Sequence, residues 1–418
     1  MRVALLSITD ALADEPQGLR GYLTIGGRSV VRHQLGLALA LGCTRIVVVT
    51  EALTAEVIAL QHSSEANGAR FHVITSAHAL LPLVTADDEL IMLGDGLVAQ
   101  PAIALAQLDE AVGVLALPVE AGMAAGFERI DINHAYAGAM RVPGRLVAGL
   151  GDLPPEWNAH AALLRLAVQG RVPLRLLPQA VLDDGRWIVI HSEAEAHTFE
   201  PVWLGLHMHL GQGRGPGEWI AQRTVQLAGP ALLHAGTRPW VVMLGGLVAL
   251  LLGLGSGWFG WRTPGFGLLA LAWGLGRVAA LITRIERQSL LESGKAATIG
   301  LWFELTIDAA LVVLMAWRSD IVQVSAVPQT IVWPFAITWF APLIAMLLLH
   351  LLPQVVPNRG ATWWLHDRLV LGLGLALTSA LLPFDVCLRT GVVGMMIWAI
   401  AVTRRRLLSA NPDLTTTR

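Results

Sequence analysis

Hydrophobic and polar positions divide the chain into two regimes. Over residues 1 to about 200, short apolar runs alternate with amphipathic ones. RVALLSI reads as a strand, GGRSVVRHQLGLALALG as a helix and TRIVVVTE as a β-branched strand. EVIALQHSSEANG is helical again, RFHVITS extended, and DELIMLGDG a strand running into a turn. Strands alternating with helices predict a parallel sheet covered on both faces. In such sheets ligands bind at the carboxyl ends of the strands, and Asp95 falls at one of them.

The pattern then changes. Residues 201–238 are Gly-rich and afterwards helical, with Trp219, Val225 and Leu227 available for an apolar face. This predicts a linker followed by an interfacial amphipathic helix. Six long apolar runs follow, near 240–261, 264–284, 298–317, 330–352, 369–384 and 386–403. Judged against the roughly 20 residues needed to cross a bilayer, they predict six membrane spans. The expected organisation is an α/β domain over 1–200, a linker and interfacial helix over 201–238, an all-α membrane domain over 239–406 and a tail over 407–418.

Charge fixes the expected orientation. The start of the chain, MRVALLSITDALADE, has too short an apolar stretch for a secretory signal, so the first half is expected in the cytoplasm. The loops at 285–297 and 353–368 and the tail then lie inside, with Arg287, Lys295, Arg359, Arg368 and the Arg404–Arg406 run. The outer loops hold Arg262, Arg318 and Arg389, a bias that agrees with the positive-inside rule. The expected location is the cell inner membrane, crossed several times. A net charge of −2 gives no argument for a nucleic-acid partner, and Cys43 and Cys387, one in each half, make neither a disulfide framework nor a zinc site.

One apolar run carries an anomaly. GKAATIGLWFELTIDAALVVLMAW holds Glu304 and Asp308, four residues apart and so on one helical face. Each such group costs about 2.5–3.5 kcal/mol near the bilayer centre on insertion scales. Paired carboxylates there can chelate a cation, share a proton, line a wet cavity or form a buried ion network with neighbours such as Glu286 and Arg287.

The first half resembles the nucleotidyltransferase fold of the MobA-like and sugar-phosphate cytidylyltransferase group. LRGYLTIGGRSVVRHQLGLALALGCTRIVVVTE and DELIMLGDGLVAQP carry the resemblance. It implies that Arg20 contacts substrate phosphate and that Asp95 binds metal. The family's Gly-rich loop after the first strand is here SITDALADEPQG, and His191 stands at the place of the second metal carboxylate.

The second half resembles the CDP-alcohol phosphotransferases, whose two-helix motif reads D-x2-D-G-x2-A-R-x8-G-x3-D-x3-D. Aligned on Gly300, Glu304 and Asp308 take the last two acidic places. Thr283 and Glu286 fall on the first two acids, and Arg287 falls on the glycine. The resemblance implies metal binding by Glu286, Glu304 and Asp308, a catalytic role for Asp308 on the acceptor hydroxyl, and phosphate binding by Arg287. The order of the parts resembles the bifunctional inositol-1-phosphate cytidylyltransferase/CDP-inositol:inositol-phosphate transferases.

Taken together, the resemblance implies a membrane transferase using Mg2+ or Mn2+. Its partners would be a CDP-alcohol or similar nucleotide-activated donor, membrane lipid and a second copy of the chain. The competing expectation is a catalytically degenerate relative that binds nucleotide or headgroup, or serves as a scaffold.

Overall fold

A computed structural model describes residues 1–154, 156–208, 215–234, 239–290, 296–317, 334–355 and 367–410. Within these, only the backbone is described for 207–208, 230–234, 286–290, 296–299, 334–337, 353–355 and 405–410. The chain divides into two compact units: Met1–His209 with Ile285–Ser293, and Leu210–Arg284 with Gly294–Arg418.

The first unit is built on a seven-stranded sheet. Its strands are β1 (Arg2–Ile8), β4 (Arg45–Thr50), β5 (Arg70–Ile74), β6 (Glu89–Leu93), β8 (Gly113–Pro118), β9 (His134–Pro143) and β10 (Leu174–Leu176), in the order β10-β8-β9-β6-β1-β4-β5. Pairing is parallel except along β9, which runs antiparallel to β6 and β8. The expected all-parallel sheet is therefore mixed. Two short antiparallel ribbons join it: β2 (Thr24–Ile25) with β3 (Arg28–Ser29), and β7 (Leu97–Ala99) with β11 (Trp187–Val189).

The central strands are apolar along almost their whole length because both faces are covered. One core cluster gathers Leu6, Ile8, Leu35, Val48, Leu93 and Trp187; the other gathers Leu5, Val47, Leu80, Met92, Met140 and Leu163. The helices here are α1 (Val30–Ala40), α2 (Ala55–Ala66), α3 (Pro101–Glu110), α4 (Val119–Ala124), α5 (Ala159–Gln169), α6 (Ala180–Asp183) and α7 (Glu193–Met208). Their starts follow local chemistry: Thr54 accepts from the N–H of Val57, Asn158 from that of His160, and Pro101 stands in the first turn of α3. Helix α7 runs through position 200, and Glu200, Trp203 and Leu204 are buried.

The second unit is helical. Among the described residues it holds α8 (Pro216–His234), α9 (Pro239–Trp258), α10 (Arg262–Leu290) as far as Arg284, α11 (Ala296–Ala316), α12 (Pro334–Val355), α13 (Arg368–Leu381) and α14 (Phe384–Ala410). Among those residues, Pro239–Trp258, Arg262–Ile285 and Phe384–Arg404 are long and apolar enough to cross a membrane, and Thr338–Leu352 and Arg368–Leu381 are shorter apolar segments. The core of the unit is made by Leu250, Phe266, Leu269, Trp273, Ile307, Leu311, Leu314 and Met346. Exposed Leu251, Leu301, Leu347, Leu377 and Ile397 give the outside of the bundle an apolar surface.

Candidate functional site

In the first unit, register brings the chemistry together. Leu6 of β1 lies beside Leu93 of β6 in a parallel pair, so the turn after β6 and the loop after β1 leave the sheet side by side. Asp95 sits in that turn. Its Oδ2 accepts the backbone N–H groups of Thr9 at 2.7 Å and Asp10 at 2.8 Å. Its Oδ1 is buried with no hydrogen-bond partner, and a Cβ on Gly21 would stand only 3.2 Å from it. Burial pushes the Asp95 carboxyl up to about 7, against the two amide bonds, and the neighbouring Asp10 adds to the rise.

The turn itself is held by Gln34 of α1, whose buried amide donates to the carbonyls of Gly94 at 2.7 Å and Leu97 at 3.0 Å. Gly96 has φ of +76°, and a Cβ there would meet the carbonyl oxygen of Ile190 at 2.5 Å. Only glycine suits both demands.

Arg20 reaches the same edge. Its Nη1 lies 3.6 Å from Oδ2 of Asp10, and its Nε donates to the carbonyl of Ala11 at 3.1 Å. The Thr9 hydroxyl is within hydrogen-bond distance of Ser7 and of the Asn158 amide. Behind Gly94, His160 stacks at a tilt on Tyr136, and burial pushes its imidazole down to about 4.

The loop after β1 is closed by its own bonds. Leu12 donates to Gly18, Ala13 donates to the carbonyl of His191, and Ala11 bridges Leu19. His191 receives no acid's role here: its backbone N–H donates to Glu195 at 2.8 Å, with the ring 3.4 Å from the same oxygen.

In the second unit, Glu304 and Asp308 have arginine partners that the sequence reading did not assign to them. Asp308 is buried and takes both arms of Arg368, Nε to Oδ1 at 2.7 Å and Nη2 to Oδ2 at 3.1 Å, with His350 Nε2 3.3 Å from Oδ2. Glu304 is half-exposed and accepts from Arg277 at 3.1 Å. Arg277 also donates twice to the buried Glu218 of α8, at 2.9 and 2.7 Å. Glu286 and Arg287 lie on α10, and their side chains are outside the described residues.

The metal implied by the resemblance can be tested against these donors. Asp95 offers one buried oxygen with Asp10 its acidic neighbour, and the oxygens of Asp308 already face a guanidinium and an imidazole. Among the described residues no group of three or more His, Cys, Asp or Glu lies together as a metal site. Mg2+ keeps several waters and takes one or two carboxylates plus substrate phosphates. Asp95 with Asp10 beside it would supply such a pair in the first unit, whereas both oxygens of Asp308 are already paired with Arg368 and His350.

No protein-family model matches the chain, and no curated protein matches it. Solved structures do, over the N-terminal half. One is a putative glucose-1-phosphate thymidylyltransferase from Bacillus anthracis in complex with a sucrose, at 12% identity and a TM-score of 0.36, covering 48% of this chain and 95% of that one. Another is the inositol-1-phosphate CTP transferase from T. maritima, at 14% identity and a TM-score of 0.35, covering 47% of this chain and 91% of that one.

Proposed function

We propose that the chain is a multi-pass protein of the cell inner membrane whose cytoplasmic α/β unit binds a CDP-alcohol or similar nucleotide-activated donor. The reaction class is transfer of a phospho-alcohol in phospholipid or polar-headgroup synthesis. One observation carries the binding reading: the adjacent N–H groups of Thr9 and Asp10 converge on a single anionic oxygen, that of Asp95. Converging backbone amides at a strand end form an anion cradle, and the carboxylate held in it gives up its charge near neutrality. A phosphate oxygen entering beside Arg20 competes for the same two donors.

A second reading, the catalytically degenerate relative, has its own support. The amides of Leu12 and Ala13 are committed within the protein, and the acids of the membrane unit are matched by arginines. On this reading the ligand is bound and not turned over.

The test is calorimetric titration of the purified full chain with a CDP-alcohol and with CTP, beside a phospho-alcohol transfer assay. Saturable binding lost in Arg20→Gln, with transfer, supports the first reading. The same binding without transfer selects the second. Absence of binding to wild type removes the first reading and leaves the degenerate relative only a headgroup-binding or scaffold role.

A further inference from the structure

Four carboxylates of the second unit are linked through shared or neighbouring partners: Glu218 at the start of α8, Glu304 and Asp308 within α11, and Asp367 just before α13. Each has a specific partner. Glu218 and Glu304 share Arg277 of α10. Asp308 takes Arg368 with both oxygens and has His350 of α12 beside it. Asp367 is buried and needs no cation. Its Oδ1 accepts the N–H groups of Leu369 and Val370 at 3.1 and 3.2 Å, and its Oδ2 accepts that of Gly217 at 2.6 Å. It therefore caps α13 and reaches the first turn of α8, and helix N-termini favour negative charge.

This arrangement also explains Gly215 and Gly217. A Cβ on Gly215 or Gly217 would collide with the Asp367 carboxylate, so α8 reaches its capping partner only because those positions carry no side chain. The Gly-rich stretch ends in a close approach and not merely in a flexible connection.

We propose that Arg277 and Arg368 take the charge-neutralising places that a divalent cation would hold beside Glu304 and Asp308, and that the resulting polar belt clasps α8 to α10, α11 and α13. Two guanidinium groups repel an incoming cation. Both oxygens of Asp308 and one of Glu304 are already engaged, and a guanidinium matches a carboxylate in a planar two-point contact. Removing one partner of such a buried pair leaves an unpaired charge, whereas removing both does not. This inference stands on the membrane unit alone and holds whether or not the first unit binds a nucleotide.

The experiment uses the full chain purified in detergent. Bound Mn2+ is counted by electron paramagnetic resonance, and thermal unfolding is followed in Mg2+, Mn2+ and EDTA. Expected for wild type are no Mn2+ that depends on Glu304 or Asp308, and a response of the midpoint to metal and EDTA that is the same in wild type, Glu304→Gln and Asp308→Asn. Arg368→Met lowers the midpoint, and adding Asp308→Asn to it restores most of the loss, a non-additivity reserved for groups in contact. Mn2+ bound by wild type and lost in Glu304→Gln and Asp308→Asn would overturn the proposal. So would an Asp308→Asn/Arg368→Met protein that loses the sum of the two single losses. Should Arg368→Met not fold, the Mn2+ count on wild type, Glu304→Gln and Asp308→Asn decides alone.

Discussion

The carboxylate of Glu200 accepts the backbone N–H of Gly26 at 2.8 Å, tying α7 to the hairpin of β2 and β3 across 174 residues of sequence. The bond is buried. Trp203, one turn further along α7, lies against the same glycine and makes an edge contact with His33 at 5.2 Å between ring centres. Gly26 has φ of +60°, which an L side chain rarely adopts.

Two substitutions follow from this contact. Glu200→Ala leaves a buried N–H without its acceptor and is expected to cost about 1–3 kcal/mol. Gly26→Ala forces a Cβ into the Trp203 ring at a left-handed backbone and is expected to cost about as much, on the order of 1–3 kcal/mol. Thermal unfolding of the full chain checks both. Because the two changes disturb one contact, the double variant should lose less than the sum.

This hairpin also shows where reading the sequence fell short. GGRSVV reads as the start of a helix, yet Gly26 and Gly27, at φ of +60° and +75°, turn a two-residue hairpin first, and α1 begins at Val30. Paired glycines between strand-forming residues are a hairpin signal in their own right. By contrast β1, β4, β5 and β6 were legible, because buried strands leave unbroken apolar runs. Strand β9 was not, since HAYAGAMRVP breaks its apolar run with Gly138 and Arg141.

The same limit governs the sites. The spacing of Glu304 and Asp308 is legible from helical period, whereas proximity in sequence points only to Glu286 and Arg287 as partners. The arginines described beside them are 27 and 60 residues away. A signal for one was present: Arg277 interrupts LAWGLGRVAA, and a charge inside an apolar helix asks for a counter-charge.

Gln34 gives a prediction about the turn that carries Asp95. Gln34→Leu has similar bulk but strips the carbonyls of Gly94 and Leu97 of a buried donor. The Gly94 carbonyl keeps the N–H of Leu97 at 3.2 Å, so the loss falls on the Leu97 carbonyl, at about 1–3 kcal/mol for a buried group left unsatisfied. The variant should unfold earlier, and nucleotide binding should weaken with it as the turn loosens. An unchanged midpoint would show that the turn holds without this amide.

Asp95 predicts a pH dependence whose sign is unusual for a carboxylate. Its folded-state value of about 7 lies above the ordinary 3.8. Between those values the folded chain holds a proton that the unfolded chain has lost, so stability falls as pH rises from about 4 to about 7. At ~1.4 kcal/mol per unit the effect is on the order of 4 kcal/mol at most. Asp95→Asn cannot ionise, so the difference between its unfolding free energy and that of wild type should change across this window. A difference that stays constant from pH 4 to 7 would mean that the Asp95 carboxyl titrates normally.

The last prediction concerns which side of the membrane each end of the bundle faces. Trp258, Phe259 and Trp261 are exposed around the α9–α10 turn. Trp258 lies 5.3 Å from Trp317 between ring centres, and Arg262 donates to the Trp317 carbonyl at 2.8 Å. Aromatic rings so clustered mark a membrane–water interface. Along α10, Arg277 lies fifteen residues further on, about 22 Å at ~1.5 Å per residue, which places the arginine belt towards the opposite interface of a core about 30 Å thick. Beyond Arg277 the chain continues into 285–297, one of the two segments, with 353–368, where positive charge gathers in the sequence and which are expected inside. In a background with Cys43 and Cys387 replaced by alanine, Trp261→Cys should therefore react with an impermeant thiol reagent added to intact cells. Lys295→Cys, at a position outside the described residues, should react only after the membrane is opened. Labelling of position 295 in intact cells, with position 261 protected, would turn the bundle over and put the first unit on the wrong side for a cytoplasmic nucleotide donor.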